Sequence, residues 1–218
     1  MKKKKENITL NKNIIFFGDS ITYGHLTKGY SWVNYIDDNY DFNIVKNAGI
    51  SDYRVSTYDD PNKWLVSQVK SYVSEEFDYV IMQGGVNDLL YLTPLGEISS
   101  GFDEASFNPN TFAGGLELYI STVKNNWSNA KIGYILTYYT PNYTERGLKW
   151  SYDDYNKYIV LTKNILEKWD IKYLDLFDQK YSDLLRVDTK EYLPDYLHLN
   201  DSGYRLIFPD IYEWIKLL

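Results

Sequence analysis

Apolar positions along the chain fall into two alternating patterns. Short apolar runs occur at Ile14–Phe17, Phe42–Val45, Tyr79–Gln83, Ile132–Thr137 and Tyr173–Phe177. They are β-branched or aromatic and close on turn-forming residues, as strands buried on both faces do. Between them, apolar residues recur at i, i+3, i+4 and i+7, the spacing of one helix face. Tyr155, Tyr158, Ile159, Thr162, Ile165, Leu166 and Trp169 form one such stripe. Phe112, Leu116, Tyr119, Ile120, Val123 and Trp127 form another, with Thr111 placed to cap it. A weaker stripe uses Leu65, Val69, Tyr72 and Val73; the last runs from Tyr204 to Leu218, with a kink expected at Pro209. Strand and helix alternating without hairpins predicts an α/β fold built on one doubly wound, mainly parallel, five-stranded sheet. In a flavodoxin-like order, 2-1-3-4-5, strand 1 lies between strands 2 and 3, and their C-terminal ends open on one crevice. Two long connections interrupt the pattern, Leu89–Asn110 and Tyr138–Lys149. The first, rich in Gly, Pro and Ser, has the length of a lid or binding loop.

At 218 residues the chain is sized for one domain, expected over residues 13–218 behind a polar, Lys-rich segment 1–12. No apolar stretch follows Lys2–Lys5, as a signal peptide would require, and none reaches the ~20 residues of a membrane span. A cytoplasmic protein is the expectation on that ground, a secreted one if the N-terminus is trimmed. A net charge of −7 argues against nucleic acid or an anionic membrane as partner. Absence of cysteine removes disulfides, thiolate nucleophiles and Cys-based metal sites together. Tyrosine is abundant, at 23. A compositional bias shared with Lys, Asn and Ile explains most of that excess, leaving Tyr91, Trp150 and Tyr152 as candidate platforms for a sugar.

The chemistry concentrates in four short stretches. Gly18-Asp19-Ser20 follows the first strand, so Ser20 is either a turn serine or a nucleophile held at a strand end. Gly49 follows the second strand, with an amide free to turn into the crevice. Gly84-Gly85-Val86-Asn87-Asp88 follows the third, where Asn87 offers an NH₂ donor. Each of these reads equally well as ordinary turn chemistry. The chain has two histidines. His198 lies three residues after Asp195, a spacing that lets a carboxylate orient the imidazole, although on spacing alone a surface turn is the better reading. His25 reads as a surface-loop histidine, with a place lining the entrance to the site as the alternative. Taken jointly, a hydroxyl, a base with its acid, and three oxyanion donors (the Ser20 and Gly49 amides and the Asn87 side chain) make the inventory for acyl transfer. No H-E-x-x-H, G-x-G-x-x-G or P-loop pattern supports a metal- or phosphate-dependent alternative.

In this order, Gly18-Asp19-Ser20, Gly49, Gly85-Val86-Asn87-Asp88 and Asp195-Tyr196-Leu197-His198 resemble the SGNH, or GDSL-type, hydrolase family across Phe16–Gly203. The resemblance implies a three-layer α/β/α sandwich and ester hydrolysis with no metal and no cofactor. By position, Ser20 is then the nucleophile, His198 the base and Asp195 its orienting acid, while Ser20, Gly49 and Asn87 form the oxyanion hole. Asp19 and Asp88 are expected to support the site, Asp19 by tying down its loop. With no G-x-S-x-G elbow, activation of Ser20 falls to His198. The expected substrate is a small-molecule or glycan ester, with a short acyl group on carbohydrate preferred. Lipase, lysophospholipase or thioesterase activity, transfer to a sugar hydroxyl, and a non-catalytic carbohydrate-binding module are the alternatives.

Overall fold

The computed structural model describes residues 11–139, 151–178, 180–181, 183 and 189–218. Trp150, most of the Tyr138–Lys149 connection and residues 1–10 lie outside the described residues.

Five parallel strands form one sheet in the order β2-β1-β3-β4-β5. They are β1 (Asn13–Phe17), β2 (Ile44–Asn47), β3 (Tyr79–Gln83), β4 (Lys131–Leu136) and β5 (Lys172–Asp175). The central β1 and β3 pair along Ile14↔Tyr79 to Phe17↔Met82, and their apolar side chains are buried. That is why both stood out as continuous apolar runs. β2 begins two residues later than expected: Phe42 lies in the preceding loop, and the strand runs on through Lys46 and Asn47. As an edge strand with an exposed first residue, it has no need of an unbroken apolar run.

The helices are α1 (Ser20–Tyr23), α2 (Trp32–Asn39), α3 (Leu65–Lys70), α4 (Val86–Leu90), α5 (Phe112–Asn126), α6 (Tyr152–Lys168), α7 (Thr189–Tyr192) and α8 (Asp201–Ile215), among the described residues. α2 packs on α8, while α3 packs on α5 and α5 on α6. Right-handed crossovers in this strand order put these two groups on opposite faces of the sheet. Thr111 caps α5 by accepting from the Gly114 N–H. α8 continues through Pro209, whose missing N–H leaves the Arg205 carbonyl without its helical donor.

The long connection after α4 is fastened rather than free. The Glu117 carboxylate, fully buried in α5, accepts from the Ser99 N–H and hydroxyl. Lys168 of α6 ion-pairs with Glu117 and donates to the Ser99 and Gly101 carbonyls at 2.8 and 2.6 Å. Phe102 packs edge-on against Trp169. Among the described residues, no helix is long and apolar enough to cross a membrane.

Candidate active site

Ser20 owes its place to a strand end locked from two sides. The Gln68 amide of α3 brackets Gly18, accepting from its N–H at 3.1 Å and donating to its carbonyl at 2.9 Å. Asp19 then caps α1, its Oδ1 accepting from the Ile21 N–H at 2.9 Å. Ser20 is the first residue of α1 and is buried, so its N–H belongs to the first turn, where no intrahelical acceptor exists. Gln83, the last residue of β3, ties the loop to the neighbouring strands. Its Oε1 accepts from the Asp19 N–H and the Thr22 hydroxyl. Its Nε2 donates to the Asp19 carboxylate and to Thr137 beyond β4.

Asn87 stands in the first turn of α4, entered through Gly85 at φ +104°, a left-handed conformation that glycine takes without strain. Its Nδ2 donates to the Tyr53 carbonyl at 2.9 Å. Asp88 accepts from the N–H groups of Val55 and Ser56 at 3.0 and 3.1 Å. The pair therefore grips the segment that follows β2.

Asp195 and His198 occupy one tight turn just before α8. Asp195 Oδ1 accepts from the N–H groups of Leu197 and His198, and its Oδ2 lies 2.6 Å from His198 Nδ1. His198 Nε2 lies 2.9 Å from Ser20 Oγ. A carboxylate can only accept, so Nδ1 carries the proton and Nε2 is left to accept from the Ser20 hydroxyl. The turn is held from both sides. Tyr138 donates to the Leu197 carbonyl at 2.8 Å, and Tyr204 of α8 donates to the Ile21 carbonyl at 2.6 Å. Asn200 caps α8 through the Gly203 N–H.

Burial alone would raise the Asp195 pKa. The hydrogen bonds from the His198 ring and N–H, the His198 charge and the Leu197 N–H outweigh it and hold the carboxyl below its usual value. Asp19 behaves oppositely: burial pushes it up to about 6, against the Ile21 N–H, the Gln83 amide and the His198 charge. Burial also raises Asp88, despite its bonds from Ser56 and Val55.

The Gly49 N–H donates to Asn47 Oδ1 at 3.0 Å. A Cβ at this position would collide with the backbone of Tyr23 and Thr22, so close approach to α1 is what demands glycine here. Asn47 is the hub of this contact, its Nδ2 donating to the Thr22 and Tyr23 carbonyls and to Ser31. The aromatic candidates are also engaged. The Tyr91 ring lies 3.7 Å from the buried Arg54 guanidinium, and its hydroxyl donates to Asp52. Tyr152 packs on Tyr139 and Phe177.

Sequence reading missed Gln68, Gln83 and Asn47, and preferred a surface-loop place for His25 over one lining the entrance. For Gln83 a signal existed, since a polar residue closes a fully apolar run just before two glycines. His25 is exposed, as expected, yet its ring centroid lies 4.5 Å from that of His198. Among the described residues, no group of three or more His, Cys, Asp or Glu could hold a metal ion.

Residues 16–206 match the GDSL-like Lipase/Acylhydrolase family. The chain belongs to this family. Solved structures share the fold of this GDSL-like chain over nearly its whole length. A protein from Lactobacillus plantarum superposes with a TM-score of 0.77 at 20% identity, covering 94% of this chain and 97% of that one. A GDSL-like lipase from Bacteroides ovatus gives 0.61 at 16% identity, covering 95% and 99%. An acetylxylan esterase from Geobacillus stearothermophilus gives 0.60 at 17%, covering 96% of each chain. At these identities the likeness speaks for the fold alone. No curated protein sequence matches the chain.

Proposed function

We propose that this GDSL-like hydrolase is a serine esterase that releases short acyl groups, acetyl foremost, from carbohydrate through an acyl-enzyme. The observation carrying this reading is the unbroken line Ser20 Oγ, His198 Nε2, His198 Nδ1, Asp195 Oδ2, with separations of 2.9 and 2.6 Å across its two hydrogen bonds. Ser20 attacks the ester carbonyl as His198 takes its proton, and Asp195 stabilises the imidazolium that forms. His198 then protonates the leaving alcohol, and a water deprotonated by the same ring releases the acid. The oxyanion is met by the Ser20 N–H and by Asn87, whose NH₂ has a second hydrogen beyond the one given to Tyr53. Gly49 has a single N–H, so it contributes only by sharing that hydrogen with Asn47 or releasing it.

The acetyl-carbohydrate preference draws support from the acetylxylan esterase that shares the fold and from the slight exposure of Ser20 and His198, 4% and 7%, which suits a small acyl group. A lipase-like second reading is favoured by the exposed Tyr23 at the end of α1, Leu26 in the turn after it and Ile50 in the loop after β2. Nitrophenyl esters of increasing chain length, assayed beside acetylated xylo-oligosaccharides, decide between them. Preference for C2 and release of acetate from the oligosaccharide are expected. Preference for C8 or longer chains would overturn the acetyl reading. Loss of turnover and of fluorophosphonate labelling in Ser20→Ala is the accompanying expectation; labelling that persists in that variant would remove Ser20 as the nucleophile.

A further inference from the structure

The molecule contains two histidines, and they lie together. His25 opens the short 3-10 turn His25–Thr27 directly after α1. Its ring sits 4.5 Å from that of His198, centroid to centroid, tilted by 34°. Its Nδ1 lies 3.4 Å from the Ser51 hydroxyl, in the loop after β2. That loop is itself pressed against α1 at Gly49. Two loops from adjacent strand ends thus present an exposed imidazole to the ring of the buried base.

We propose that His25 is a positioning residue for His198: its ring covers the base and fixes the plane in which Nε2 meets Ser20. The role follows from contact. The Asp195 bond holds one edge of the His198 ring, Ser20 meets the other, and His25 packs against the ring itself, limiting its rotation about the Asp195–Ser20 line.

The part of this inference that concerns turnover rests on the esterase reading; the pairing does not, and the experiment separates the two. With only two imidazoles in the chain, the Cε1–H signals are assigned from His25→Phe and His198→Gln alone. In the wild-type protein a nuclear Overhauser effect should connect the two rings, and its absence would overturn the pairing. In kinetics on a short-chain nitrophenyl ester, His25→Ala should lower kcat about five- to tenfold with KM unchanged. His25→Phe, which restores a ring at this place, should recover most of that loss, a pattern that a purely structural loss would not produce; His25→Gln serves if the Phe variant does not fold. Wild-type kcat in His25→Ala would overturn the positioning role. Ring contact in a protein that hydrolyses no ester would sink the esterase reading and leave the pairing standing.

Discussion

At the scale of single residues, the site is defined by how each polar group's hydrogen-bonding capacity is divided. Asn87 gives one hydrogen of its NH₂ to the Tyr53 carbonyl, and in the proposed cycle the other meets the oxyanion. Replacing it with alanine should lower kcat by about 10² to 10³ while KM changes little. Hydrolysis at the wild-type rate would remove Asn87 from the mechanism. Asp19 holds the turn that carries Ser20 through a fully buried carboxyl whose pKa rises from 3.8 to about 6. A raised folded-state value means that the folded form holds its proton more tightly than the unfolded one. The associated stability is present below about pH 4 and lost as pH climbs through about 6. The ionised carboxylate then costs on the order of 3 kcal/mol at neutral pH. Urea unfolding of wild type and Asp19→Asn at pH 4.5 and 7.5 measures this. The stability difference should shift toward the variant at the higher pH, and a gap independent of pH would contradict it. Asp195 has the opposite sign, and its stabilising contribution disappears only in acid.

At the scale of elements, the strands that end beside Ser20 are those the sequence displays most clearly. Ile14-Ile15-Phe16-Phe17 and Tyr79-Val80-Ile81-Met82 are apolar throughout because both sheet faces are covered. α2 escaped notice because it offers Trp32, Val33, Tyr35 and Ile36 and then two aspartates, too short a stripe to show its period. Its real signature was the capping box of Ser31 and Asn34 at the entrance. α1 and α4 are single turns hung from strand ends, and their helicity follows from tertiary contacts rather than propensity. That Ser20, Asp195 and His198 would meet was legible because their types and order are distinctive. Their supports were not: the partners of Gln68, Gln83, Asn47 and His25 are distant in sequence, and a lone polar residue does not announce what it will meet. One element-level prediction concerns the fastened loop after α4. Lys168→Ala would strand the buried Glu117 carboxylate, and unfolding in urea should show a loss of about 3 to 5 kcal/mol. A loss under 1 kcal/mol would mean that the ion pair does not hold this loop. Another concerns the base's turn. Tyr138→Phe leaves the buried Leu197 carbonyl unpaired, at a cost of about 1 to 3 kcal/mol, and should lower kcat more than it alters KM.

At the scale of the whole molecule, the strand order performs the assembly. Placing β1 between β2 and β3 brings three loops, distant in sequence, to one edge of the sheet. The segment before α8 then closes over them, and Tyr204 bonds it to the carbonyl of Ile21. This could be anticipated from the alternation of strands and helices, because right-handed crossovers leave few other arrangements. The separation of 178 residues between the Ser20 hydroxyl and the His198 ring has a consequence for biosynthesis. A nascent chain can complete every strand of its sheet before the imidazole arrives, almost last. On the proposed mechanism, acyl transfer begins only once the final helix has docked.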